Sequence, residues 1–313
     1  MNRRIGAFHQ SMKKERNTKL WRPDLGSLHE KLSRRIKGQP EVLARLVPAL
    51  IRRETDSVPQ RGPRDAFFLA GPTGTGKTFA VETVADLIFG PGHFAVFDCS
   101  EFKTIESVAG LMGDRDGDPG RFAETYARVP AGVWLFDEIE KAQKQIVDLF
   151  LQIVWEGRVT PASGKTIDLC GIYVFVTSNL GSAEILGRQH LPFASLERHV
   201  VRRVEQHLRP ELLGRFGRPY VFRALGRSAQ TEIAAQKLGQ MVEWQKTKGR
   251  TIEVAPEVIA FLVQRGFSDR LGARPLLKVI EEYVGNAIAE NLLAGGSGSG
   301  RLVVCGDHLK LIS

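Results

Sequence analysis

At 313 residues, with 42% hydrophobic and 25% charged side chains, the chain has an ordinary globular balance and room for a large domain plus a smaller one. No apolar run approaches the roughly 18 residues that span a bilayer, and the basic, polar start does not read as a signal peptide, so no membrane partner is expected. Part of the net charge of +9 sits in the first 22 residues, seven Lys or Arg against one Glu; residues 1–20 read as a solvated, disordered tail, with attraction to nucleic acid as the alternative.

In chain order, SLHEKLSRRIKGQPEVLARLVPALIRRE reads as two helices broken at Gly38, the second opened by Pro40 and carrying Pro48 inside it. AFFLA is a short apolar strand, followed by a glycine loop and the helix TFAVETVADLIFG. AVFD, GVWLFDE and GIYVFVTSN are further strands, with helical AQKQIVDLFLQIVWEG between the last two, and YVFRAL (220–225) is a fifth. Short apolar strands alternating with amphipathic helices predict a parallel sheet covered on both faces.

From about Ser228 the pattern changes to three helical segments in a row, ending in the strand pair RLVVCG and HLKLIS. The expected division is 21–225 for the α/β domain and 226–313 for a smaller helical one. GGSGSG (295–300) reads as a flexible connection before the strands. Cys99, Cys170 and Cys305 are in no paired spacing, which points to free thiols and a reducing, cytoplasmic setting. None of the seven histidines falls in metal-ligand spacing.

Three motifs carry chemistry. GPTGTGKT (Gly71, Pro72, Thr73, Gly74, Thr75, Gly76, Lys77, Thr78) fits the phosphate-binding loop G-x-x-x-x-G-K-[ST] and lies between a strand and a helix, as it must. Its glycines let backbone N–H groups turn around phosphate oxygens at a helix N-terminus. Lys77 would reach the β- and γ-phosphates of ATP, and the Thr78 hydroxyl would join a Mg2+ shell. VWLFDE (133–138) buries a strand and then exposes two carboxylates at its C-terminal end. Asp137 would hold the metal directly or through water, and Glu138 would take a proton from, or orient, the attacking water. VFVTSN ends a strand with the Asn179 amide, placed to meet the γ-phosphate or the lytic water.

These blocks, with IKGQ (36–39), DCSEF (98–102), FDEIEKA (136–142), EGRVT (156–160), TSNLGS (177–182), RPELLGRF (209–216) and LGARPL (271–276) in the same order, resemble a Clp-type AAA+ ATPase. The likeness is to the second ATPase module of the double-ring disaggregases and unfoldases. The resemblance implies that Asn179 is the sensor-1 amide and that Arg215 is an arginine finger entering the neighbouring subunit's site, with Arg218 as a second candidate. It also implies that Arg274 is the sensor-2 arginine and that Ile36 packs on adenine. A finger supplied in trans implies a homo-oligomer, in this family usually a hexamer, that acts on a protein substrate or dedicated partner.

The chain departs from the family in LMGDRDGDPGRF (111–122). Related unfoldases carry an aromatic there, in a loop lining the central pore; here Asp118 takes that place, with Phe122 as an alternative ring. No segment resembles an amino-terminal substrate domain, a first ATPase ring, a coiled-coil insert or a peptidase-docking loop. The expected function is a stand-alone protein-remodelling ATPase, and the alternative is an ATP switch brought to nucleic acid by its tail.

Overall fold

The computed structural model describes residues 23–60, 62–114, 117–268 and 271–312. The basic tail and two residues of the acidic loop, Arg115 and Asp116, lie outside the described residues.

Helices α1 (Leu28–Arg35) and α2 (Pro40–Glu54) come first, turning at Gly38, with Pro40 opening α2 and Pro48 inside it. Strand β1 (Asp65–Ala70) runs into the glycine loop and α3 (Lys77–Ile88). Strand β2 (Phe94–Asp98) is followed by α4 (Ile105–Met112), the acidic loop and α5 (Gly120–Arg128). Then come β3 (Gly132–Asp137), α6 (Lys144–Glu156), the small antiparallel pair β4 (Arg158–Val159) and β5 (Ile167–Asp168), and β6 (Ile172–Ser178). Helices α7 (Ser182–Gly187), α8 (Phe193–Glu205) and α9 (Pro210–Phe216) lead to β7 (Tyr220–Val221).

Five of these strands form one parallel sheet in the order β2-β3-β6-β1-β7. The central strands are apolar on both sides because both faces are covered. Val133 and Leu135 of β3, with Tyr173 and Phe175 of β6, face α1, α2 and α3. Trp134 and Phe136, with Val174 and Val176, face α5, α6 and α8. Each such side chain stabilises the layer by about 1.5–3 kcal/mol.

The rest of the chain packs around its own core. Helices α10 (Arg227–Thr247), α11 (Pro256–Gly266) and α12 (Arg274–Leu293) enclose Leu238, Leu262, Ile280 and Val284. The expected strand pair is present as β9 (Gly300–Cys305) and β10 (His308–Ile312), but β8 (Ile252–Val254) adds a third, parallel strand.

Two local expectations are overturned. The Gly/Ser stretch before β9 is a pinned turn: the Asn291 side chain accepts from Gly298 N–H at 2.9 Å and donates to the Leu311 carbonyl at 3.3 Å. The fifth strand stops at Val221 instead of reaching residue 225, because the N–H and carbonyl of Arg223 are both taken by the Gln39 side chain. Helices α7 and α8 and the β4–β5 pair have no counterpart among the elements expected from the sequence.

Candidate active site

Strands β1, β3 and β6 end side by side, and a cavity of about 310 Å³ opens beyond their C-terminal ends, between the sheet and the helical unit. Ile36, Thr73, Gly74, Thr75, Gly76, Lys77, Thr78, Asp137, Glu138, Asn179 and Arg274 line it. Residues from five separate sequence blocks therefore share one wall.

The loop between β1 and α3 is held by its own side chains. Thr75 Oγ1 donates to the Pro72 carbonyl at 2.8 Å, and Thr73 Oγ1 donates to Asn179 Oδ1 at 3.2 Å. Lys77, 7% exposed, folds its ammonium under the loop and donates to the carbonyls of Gly71 (2.6 Å) and Pro72 (2.9 Å) and to Asn179 Oδ1 (3.1 Å). Burial pulls the Lys77 ammonium down to about 8, against the pull of Asp137, Glu140 and Glu138 and with a further push from Arg274.

The fourth residue of the motif, Gly74, is required by its backbone conformation and by a tertiary contact. Its φ is 74°, and a Cβ there would lie 1.9 Å from the Leu271 carbonyl oxygen. The loop tip and the start of α12 are in backbone contact, with Ala273 N–H donating to the Gly74 carbonyl at 3.0 Å. Arg274, the first residue of α12, enters the cavity from this contact.

At the end of β3, Thr78 Oγ1 donates to Asp137 Oδ2 at 3.3 Å, and the Thr177 hydroxyl donates to the other Asp137 oxygen. A hydroxyl beside a carboxylate suits a hard, oxygen-preferring ion such as Mg2+. Among the described residues no group of three or more His, Cys, Asp or Glu could hold a metal by itself. Such a donor set fits an ion whose remaining ligands are water and phosphate oxygens.

Glu138 adopts φ 58°, a left-handed conformation unusual for a side chain with a Cβ, and its N–H donates to Thr177 Oγ1 at 3.1 Å. One carboxylate oxygen accepts from Asn179 Nδ2 at 2.9 Å and the other from the Lys141 ammonium. Burial works against the charged carboxylate, but hydrogen bonds from Lys141 and Asn179 outweigh it and hold the group below the usual glutamate range. Glu140 in turn accepts from the Asn179 N–H at 3.0 Å. Lys141 and Glu140 belong to FDEIEKA, yet the sequence alone assigns them no role; their spacing beside Glu138 is the available signal.

Part of the cavity lining is apolar, with Arg35, Lys37, Gln236 and Lys237 as further lining residues. The apolar part includes Ile36, Leu225, Ile233 of α10 and Leu276 and Leu277 of α12. In the sequence, Ile233, Leu276 and Leu277 read only as positions in helical segments.

Arg215 does not line the cavity of its own subunit. It sits on α9, where Nε donates to the Val154 carbonyl at the end of α6 (2.6 Å), and its guanidinium lies 6.0 Å from the Trp155 ring centroid. Trp155 itself is 62% exposed. Arg218 donates to the buried Glu197 at 2.7 Å, and Arg45 holds the other oxygen of that carboxylate at 3.0 Å.

In the acidic loop, Asp118 is exposed and turned inward along the chain. Its Oδ1 accepts from Gly120 N–H at 2.9 Å, its own N–H donates to Asp114 Oδ1 at 3.0 Å, and its carbonyl accepts from Asp114 N–H at 3.0 Å. Phe122 is 1% exposed and packs against Phe97 and Trp134 at 5.3 and 6.0 Å between ring centroids, so its ring is core.

Comparison with known proteins matches a family model to each part of the chain. Residues 63–218 match the family described as "AAA domain (Cdc48 subfamily)", and residues 225–305 match the "C-terminal, D2-small domain, of ClpB protein". The chain is 34% identical to the chaperone protein ClpB of Vibrio vulnificus (strain CMCP6) over 275 residues, covering 86% of this chain and 32% of that protein. It is 30% identical over 299 residues to the "Probable chaperone protein ClpB 1" of Chlorobaculum tepidum, covering 91% of this chain and 68% of that one. Thus it spans about a third of the Vibrio relative and two thirds of the Chlorobaculum one. Among solved structures, Hsp104 in a closed state with ATPγS and FITC casein superposes with a TM-score of 0.81 at 29% identity, over 92% of this chain and 51% of that one. The S. cerevisiae Hsp104–ADP complex gives a TM-score of 0.81 at 30% identity, over 90% and 50%.

Proposed function

The chain belongs to the Clp-type AAA+ ATPases, and from that premise we propose that it hydrolyses ATP in the cavity beyond β1, β3 and β6 and uses the cycle to remodel a protein partner. The observation that carries this is the convergence of Lys77, Thr78, Asp137, Glu138, Asn179 and Arg274 on one cavity. Ile36 and the apolar wall take the base, while the N–H groups of the loop and the N-terminus of α3 take the phosphates. Lys77 turns from the loop carbonyls to the β- and γ-phosphates, with Arg274 on the γ-phosphate from the other side. Thr78 and Asp137 would hold Mg2+, which supplies charge neutralisation on the phosphates when bound.

Glu138, ionised at neutral pH, accepts the proton of the attacking water or orients it, and Asn179 holds the water or the γ-phosphate in line. Arg215 lies outside its own cavity and is read as completing the site of a neighbouring copy, which makes the working form a homo-oligomeric ring, a hexamer in our reading. We read 21–225 and 226–313 as the two domains that together enclose each site. We place the protein in the cytoplasm; among the described residues no helix is long and apolar enough to cross a membrane.

Asp118, in the place of the aromatic of related unfoldases, gives the ring an acidic pore position that favours a basic segment of a particular partner. Purified protein should release phosphate from ATP, faster with an unfolded protein or a basic peptide and unchanged with duplex DNA. Stimulation by DNA alone would overturn the remodelling reading in favour of a nucleic-acid switch.

A further inference from the structure

Gln39 precedes α2 as its N-cap residue and is withdrawn from water, at 1% exposure. Its amide is engaged entirely by backbone groups distant in sequence. Nε2 donates to the Thr75 carbonyl (3.3 Å) and to the Arg223 carbonyl (3.0 Å), and Oε1 accepts from Arg223 N–H (3.0 Å). The segments it joins each carry part of the cavity wall: Ile36 and Lys37 just before it, Thr75 in the phosphate loop, and Leu225 two residues beyond Arg223. Gln39 itself does not line that wall. Gly38, at φ 71°, brings the same turn against the helical unit, since a Cβ there would lie 2.7 Å from Ala229 Cβ and 3.1 Å from Leu225 Cδ2.

We propose that Gln39 is a positioning residue of the nucleotide site: it fixes the base-side wall relative to the phosphate loop and so sets how much the base adds to binding. The inference rests on the nucleotide-site reading above. Without its two donors, the Thr75 and Arg223 carbonyls would be buried and unpaired, which is costly enough for the segments to part and admit water. Lys77, the main grip on phosphate, is held by Gly71, Pro72 and Asn179 and makes no hydrogen bond to Gln39. The base contacts depend on Gln39, because Ile36 and Leu225 lie on the two segments that Gln39 ties to the loop.

The test compares a non-hydrolysable ATP analogue with inorganic tripolyphosphate, which has no base, in competition binding to the full chain. The Gln39→Met variant keeps length and volume but loses every hydrogen bond. It should weaken the ATP analogue at least tenfold, about 1.4 kcal/mol, and tripolyphosphate by less than about threefold. Relative to wild type at the same pH, the Gln39→Glu variant should show the same loss at about pH 9 and recover toward about pH 6, as the buried carboxyl takes a proton and regains one donor. Compared with wild type at each pH, so that the common effect of Lys77 cancels, the Met variant should show no such recovery.

A general loss of folding would weaken both ligands together and leave their ratio unchanged. An unchanged ratio in a Gln39→Met variant that melts cooperatively overturns the proposal. If that variant does not fold, the pH series of Gln39→Glu decides, and absence of recovery overturns it. Wild-type protein that binds neither ligand overturns the nucleotide-site reading as well, whereas wild-type binding with indifferent Gln39 variants overturns the Gln39 role alone.

Discussion

Lys77 shows what the site demands of a single residue. Its ammonium is buried against carbonyls, and burial brings it from the ordinary 10.5 to about 8. A phosphate needs the charged form, so the sign follows directly. Below pH 8 the ammonium is present in free and bound protein alike. Above about 8 the free protein has lost that proton, whereas phosphate oxygens favour its retention in the bound protein, so binding takes up a proton and weakens as pH rises. We expect ATP-analogue affinity to be flat to about pH 8 and then to fall by up to tenfold per pH unit. Calorimetry in buffers of different ionisation enthalpy should show net proton uptake at about pH 9, and a flat affinity profile would show that Lys77 is not the group involved.

The same linkage makes the unliganded fold gain stability from Lys77 as pH climbs from 8 to 10.5, because there the unfolded chain holds the proton more tightly. At Glu138 the removal of one carboxylate oxygen should separate binding from chemistry. The Glu138→Gln variant should bind ATP and turn over at least ~100-fold slower, about 2.7 kcal/mol of barrier, while Lys77→Ala should lose ATP binding. Phosphate-release and nucleotide-binding assays check both, and wild-type turnover by the Glu138 variant would remove it from the mechanism.

At the scale of elements, the phosphate loop and the start of α12 behave as one piece. The motif G-x-x-x-x-G-K-[ST] leaves its fourth position open, yet Gly74 cannot carry a side chain without pushing away Leu271. Gly74→Ala should therefore break the Ala273–Gly74 hydrogen bond, open the cavity and weaken ATP at least tenfold, about 1.4 kcal/mol. Because a Cβ at Gly217 would meet only open space, Gly217→Ala is a control for left-handed backbone strain alone. Equal effects of the two variants on nucleotide affinity would attribute the loss to strain and not to the contact. The element that carries Arg215 is built differently: Arg215 is docked on the carbonyl end of α6, where a helix favours a cation.

For the molecule as a whole, the consequence of Arg215 lying outside its own cavity is that activity should rise with protein concentration. Arg215→Ala and Lys77→Ala subunits should each be inactive, and mixing them should restore part of the ATP turnover, since each completes a site with the other. Mixed oligomers that form and stay inactive would overturn the finger assignment. The pore reading predicts weak unfolding of generic stable domains. A ring of Asp118 carboxylates must stay hydrated or find cations, whereas an aromatic gains roughly 1.5–3 kcal/mol by burying itself against a substrate side chain. Asp118→Tyr should raise ATP-driven unfolding of a tagged stable domain, and robust unfolding by the wild type would count against the acidic-pore reading.

The sheet, its parallel sense and the ends of its central strands were legible in the sequence because each rests on local pattern: mostly apolar strands five to seven residues long, with glycine turns and helices between them. The phosphate loop and the acidic pair at Asp137 and Glu138 were legible for the same reason, each being contiguous. Not legible were α8, whose arginines dilute its apolar stripe, and β8, three residues long and dependent on β9 for its hydrogen bonds. The base wall was hidden because Ile233 and Leu276 sit on helices with the same apolar spacing whether they face a core or a ligand. Phe122 as core, Gly74 as a contact point and Gln39 as a clamp were decided only in three dimensions. Each depends on a partner tens to nearly two hundred residues away in the chain, and no local pattern encodes which distant backbone a side chain will meet.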